Sequence, residues 1–200
     1  MKPLPRFIWC IFDGLRRDMI TPDIAPRLRA FIDGGSDFPQ SRCVFPSVTR
    51  VNAAAMACGA TPGITGVVAN MWYDPQVFAD KLMQTGLHDH ITQAEQAYNG
   101  RFVTAPSLGD ILADHGLKVA VVSSGSAGST HLMNPRSAQL GHVRLSLSDW
   151  RTSTPADYAA DVLQRFGPIP PGATPNAARI QLQTDMVLDA VLPEIGRAHV

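Results

Sequence analysis

Two residues near the start of the chain have the type and setting for phosphoryl chemistry. Thr49 stands immediately before a small, Ala-rich run, residues 51–58, which reads as a buried helix ended by Gly59 and Pro62. A threonine at a helix start can serve as an N-cap, its hydroxyl accepting from a backbone N–H. A helix N-terminus also carries unpaired N–H groups and partial positive charge, so the same hydroxyl could attack a phosphate held there. Asp13 follows the continuous apolar run RFIWCIF, residues 6–12, and precedes Gly14. Such a run has the profile of a strand buried on both faces in a parallel sheet, and ligands of open α/β sheets bind at the carboxyl ends of such strands. The plain reading is a turn aspartate before glycine.

The elements that must position these residues follow an α/β order. A helix is predicted over residues 24–32 and a short strand over 41–45, leading into the stretch around Thr49. Residues 78–100 read as an excursion with one helix, and His88, Asp89 and His90 as surface polar loop rather than metal ligands. Ser107 and Asp110 form a capping-box pattern for a helix over 106–115, followed by Gly116 and a β-branched strand over 118–123. SSGSAGST, residues 123–130, lacks the spacing of a phosphate loop and reads as a flexible or substrate-facing loop. A short strand over 142–147 and helices over 154–166 and 176–192 complete the pattern. Asp114-His115 is expected to be a helix end, where a histidine is favoured electrostatically.

Bulk properties narrow the function. The 200 residues are 45% apolar and 17% charged, with net charge zero and basic residues scattered. That excludes the basic stripe of a protein that binds nucleic acid polymers. The early apolar run is too short for a signal peptide or membrane span. Three cysteines without a pairing pattern read as reduced core residues. Cytoplasm is the expected location.

With Asp13 and Thr49 placed, the sequence resembles the type I phosphodiesterase/nucleotide pyrophosphatase family of the alkaline phosphatase superfamily. Its strand ending in D-G-F/L-R corresponds to Asp13-Gly14-Leu15-Arg16. Its nucleophile segment corresponds to Pro46-Ser47-Val48-Thr49, Asn52, Gly59, Pro62, Gly66 and Asn70, with Tyr73-Asp74-Pro75 following. Thr49 and Asn70 are 21 positions apart (70 − 49), as in the family. The resemblance implies an alkaline-phosphatase-like, largely parallel central sheet with helices on both faces. It implies Asp13 and Thr49 as ligands of one zinc, two Zn²⁺ per complete site, and Thr49 as a nucleophile forming a phosphothreonine. Asn70 would donate to a phosphoryl oxygen, and the backbone N–H of Arg50 would be a second donor.

Two departures bear on substrate. Nucleotide-cleaving members usually follow the threonine with Phe, and this chain has Arg50, suited to pairing with an anion rather than stacking on a base. Thr65 stands where the family has His. The implied substrate is a small phosphoryl compound: a phosphodiester, a pyrophosphate-type compound or a small organophosphorus compound. A phosphonoacetate-hydrolase-like C–P hydrolase and a metal-free phosphoryl-binding relative are the alternatives. The family's D-x-x-x-H, D-H and late His ligands find no counterpart here. Residues 195–200 (IGRAHV) equal the translation of a common sequencing adapter and are expected to be non-native. Residues 1–194 are therefore expected to be the N-terminal part of one catalytic domain. The remaining ligands would lie beyond it, leaving the 200-residue chain without turnover.

Overall fold

A computed structural model describes residues 6–173 and 175–195. The tail predicted at 195–200 lies, except for Ile195, outside the described residues. Contacts divide the chain into two units, Phe7–Cys43 and the remainder.

In Phe7–Cys43 the one α-helix is α1, Pro26–Asp33. It starts later than the pattern suggests because Thr21 Oγ1 accepts from Ile24 N–H, which closes a turn ahead of the helix. Residues 6–12 are not a strand, nor are residues 41–45: among the described residues two two-stranded sheets form, and neither run belongs to them. Both expectations are corrected, and the reason is physical. A strand's hydrogen bonds all go to other strands, so an apolar run without a ladder stays extended coil. Cys10 and Cys43 are accordingly exposed rather than core.

The larger unit begins with α2, Thr49–Cys58, and α3, Pro62–Thr65. α2 ends where Gly59 takes φ +59°, a left-handed conformation that favours glycine. Strands β1, Met71–Tyr73, and β2, Leu82–Gln84, pair antiparallel, Trp72 opposite Met83. Helix α4, His88–Ala97, replaces the predicted polar loop; His90 is buried, and its Nδ1 accepts from Gln84 N–H at 3.0 Å. Helix α5, Leu108–Asp114, opens on the capping box read from Ser107 and Asp110. It ends on His115, whose Nδ1 lies 2.8 Å from Ile111 O.

Strand β3, Ala120–Ser123, pairs in parallel with β4, Val143–Ser146. Between them, α6, Ala127–Met133, occupies what the sequence suggests as a flexible loop. Ser126 caps it by accepting from Ser129 N–H, and residues 127–132 are buried. Helices α7, Ala156–Phe166, and α8, Ala177–Met186, follow; α8 continues through a π-turn at Val187–Val191.

The fold is thus a mixed helix and strand structure with a small parallel pair, consistent with an α/β class. The large parallel sheet expected from the resemblance is not seen among the described residues. Two cores hold the larger unit. One joins Val51, Ala53 and Ala54 of α2 to Met83, Ile91, Phe102 and Leu132. The other joins Leu145 and Leu147 to Ala159, Val162, Met186 and Val191. The alanines of α2 let α6 approach closely, a packing that larger side chains would prevent. Among the described residues no helix is long and apolar enough to cross a membrane.

Candidate active site

Thr49 is the first residue of α2, and Val48, in extended conformation, occupies the N-cap position expected for the threonine. The hydroxyl therefore belongs to the first turn, where the backbone N–H groups have no intrahelical acceptor. The loop before it is held by Asn52, a residue of the matching pattern. Its Oδ1 accepts from Val44 N–H at 3.0 Å, and its Nδ2 donates to Val48 O at 3.0 Å and Pro46 O at 3.4 Å. Asn52 thus ties residues 44–48 to the helix they lead into, which fixes where Thr49 starts. Thr49 itself is exposed, while the next turn, from Val51, is buried.

Asn70 comes to the same helix end from 20 residues beyond Arg50. Its Oδ1 accepts from the backbone N–H of Arg50 at 3.2 Å. The Arg50 backbone N–H, expected as a second donor to a phosphoryl oxygen, is directed at Asn70 in this structure. Because Oδ1 is the accepting end, the amide nitrogen is the end of Asn70 that can donate elsewhere. Arg50 is half-buried, and its Nε donates to Thr85 Oγ1 at 3.2 Å. Thr85 was not singled out by the sequence: nothing in the spacing of an isolated threonine marks it. It is fully buried, and its hydroxyl donates to Asn70 O at 2.7 Å.

Asp13 occupies a turn in Phe7–Cys43 closed by Leu15 N–H donating to Phe12 O at 3.3 Å. Two further positions of the pattern make internal hydrogen bonds. Thr65, at the family's histidine position, is buried and its Oγ1 accepts from Val67 N–H at 3.3 Å. Asp74 is buried and accepts from the Tyr98 hydroxyl at 2.8 Å, which raises the Tyr98 phenol above its ordinary range.

A carboxylate and a hydroxyl are hard oxygen donors suited to a divalent cation, but a zinc site takes four ligands. Among the described residues no group of three or more His, Cys, Asp and Glu stands together to hold one. The described residues thus do not make up the ligand set. His88 and His131 face each other, ring centroids 5.6 Å apart, but Arg144 Nη1 lies 3.0 Å from His131 Nδ1. Burial lowers both histidines, and it pushes Arg144 down to about 10. These groups form a buried polar contact between α4, α6 and β4 rather than a cation site.

The sequence model for type I phosphodiesterase / nucleotide pyrophosphatase matches residues 8–189 of the chain. No curated protein and no solved structure matches it significantly.

Proposed function

The chain belongs to the type I phosphodiesterase / nucleotide pyrophosphatase family, and from that membership we propose a hydrolase that uses Thr49 as its nucleophile. The substrate class is a phosphodiester, pyrophosphate-type or small organophosphorus compound. Thr49 Oγ1 forms a bond to phosphorus while the bond to the leaving group breaks on the opposite side. Water then cleaves the phosphothreonine. The partial positive charge at the start of α2 favours the anionic oxygen, and the amide nitrogen of Asn70 donates to a phosphoryl oxygen. Asp13 and Thr49 would be two donors to a divalent cation, zinc by resemblance. The described residues do not complete that set.

The observation that carries this reading is the bond from Arg50 N–H to Asn70 Oδ1. It supports a common site for Thr49 and Asn70, since it seats the asparagine against the residue next to the threonine. The test is incubation with zinc and bis(4-nitrophenyl) phosphate, following 4-nitrophenolate release and the mass of the peptide containing Thr49. The expected result is a Thr49 carrying the 4-nitrophenylphosphoryl group, one 4-nitrophenolate being released for each adduct and no more, and neither in Thr49→Ala. Equal release from Thr49→Ala would refute the nucleophile. Binding of the diester without release or adduct would replace hydrolysis by a phosphoryl-binding role.

A further inference from the structure

We propose that Thr85 and Gly86 are positioning residues that fix the Arg50 guanidinium at the first turn of α2, the helix that starts at Thr49, making Arg50 the selector for substrates with a second anionic group. The inference rests on the phosphoryl reading of the Thr49 site and names the substrate class that site prefers. It starts from a closed ring of hydrogen bonds. Arg50 N–H donates to Asn70 Oδ1, the Thr85 hydroxyl donates to Asn70 O, and Arg50 Nε donates to that same hydroxyl oxygen. Thr85 N–H also donates to Asn70 O, at 3.0 Å. One buried threonine therefore sets both the backbone of Asn70 and the direction of the Arg50 side chain.

Gly86 forms the floor. A Cβ built there would lie 3.3 Å from Arg50 Cζ and Nη1, so the guanidinium packs on bare backbone and a side chain there would push it aside by a few tenths of an ångström. This floor is itself held from below. A Cβ on Gly128 of α6 would lie 1.9 Å from Thr85 O, an approach that glycine alone permits, and Gly128 N–H donates to Gly86 O at 3.2 Å. The guanidinium is thus ordered before ligand arrives. A planar group of fixed orientation binds an oxyanion with less loss of side-chain freedom than a mobile arginine does. Arg50 and Thr49 share the first turn of α2 but neighbouring helix residues point about 100° apart, so a ligand held at both needs a second anionic group beyond the phosphoryl group at Thr49. Neutral or apolar groups at that position gain nothing from it, while a carboxylate or second phosphoryl group gains charge-assisted hydrogen bonds.

The experiment compares two non-hydrolysable ligands, methylphosphonate and methylenediphosphonate, by calorimetric titration of the full chain without metal. The expected result is binding of the diphosphonate about tenfold tighter than the monophosphonate. Gly86→Ala and Thr85→Val are expected to bring the ratio to within about twofold, and Thr85→Ser to restore it. A variant that merely loosened the fold would weaken both ligands and leave the ratio unchanged. Equal affinities in the wild type, binding of neither ligand, or an unchanged ratio in Gly86→Ala would each overturn the proposal. Thr49→Ala is expected to keep the ratio. Failure of Thr49 labelling with the ratio intact would sink the hydrolase and spare this inference; the reverse outcome would sink this inference and spare the hydrolase.

Discussion

Phe7–Cys43 and the larger unit carry comparable runs of apolar sequence, yet they use them in opposite ways. No residue from Phe7 to Cys43 is buried, and Phe7 is 84% exposed. In the larger unit Val51, Met83, Ile91, Leu132 and Leu145 have no exposed surface. The difference lies in how each element closes its hydrogen bonds. A helix such as α2 satisfies its backbone internally and needs only a neighbour for one face, which α6 supplies. The apolar run 6–12 would need strands on either side before its side chains could be covered. Apolar composition therefore signals the capacity to be buried, and the partner element decides whether burial happens.

The comparison is broken most forcefully at the second core. Leu145 lies on β4, completely buried among Ala159, Val162 and Met186. Leu145→Ala removes the transfer free energy of its side chain and leaves a cavity that the surrounding helices fill only in part. The expected cost is about 2–5 kcal/mol, read as a lower denaturant midpoint and a lower Tm. A loss below about 1 kcal/mol would mean the core is already loose enough to collapse around the gap.

The elements that the sequence pattern located correctly are those whose signals are local. The capping box at Ser107 and Asp110, the helices α7 and α8 and the individual strands β3 and β4 follow from residues close in sequence. The loop expected at 123–130 fails for the opposite reason. Its Ser and Gly residues have loop composition, but Gly128 serves a close approach to Thr85, 43 residues earlier (128 − 85). The candidate site divides the same way. Thr49 and Asn70 are legible from spacing, and Arg50 from its departure at one position. Thr85 and Gly86 act through contacts that only the folded chain creates, as does the use of the Arg50 N–H by Asn70.

A medium effect is expected where local and long-range signals meet. Asp110 closes the capping box of α5 and also pairs with Arg136, which donates in addition to Ala105 O at 3.2 Å. Burial raises the Asp110 carboxyl, but Arg136 and the hydroxyl and N–H of Ser107 outweigh it and hold the group well below the usual carboxylate range. A carboxylate with a lowered folded pKa stabilises the protein above its unfolded pKa. That stability is lost as pH falls below about 4, through the folded value. Asp110→Asn is expected to cost about 1–3 kcal/mol at neutral pH, since Arg136 loses its charged partner. The variant should also show a shallower acid dependence of unfolding than the wild type; an unchanged acid slope would mean the pair contributes nothing to folding.

The smallest effect is expected in Phe7–Cys43, and its smallness is the sharpest form of the comparison. Phe31 lies on α1, in the stripe that the sequence pattern assigns to a buried face, yet it is 79% exposed. A side chain that already meets water in the folded state loses little when a polar one replaces it. Phe31→Ser should therefore change the unfolding free energy by no more than about 0.5 kcal/mol, measured by urea titration beside Leu145→Ala. The denaturant slope should also stay the same, because the area exposed on unfolding is hardly altered. A loss above about 1 kcal/mol would show that α1 has a packed face in solution. The contrast between the two regions would then be one of degree, and the apolar stripe of α1 would have found the cover that its pattern calls for.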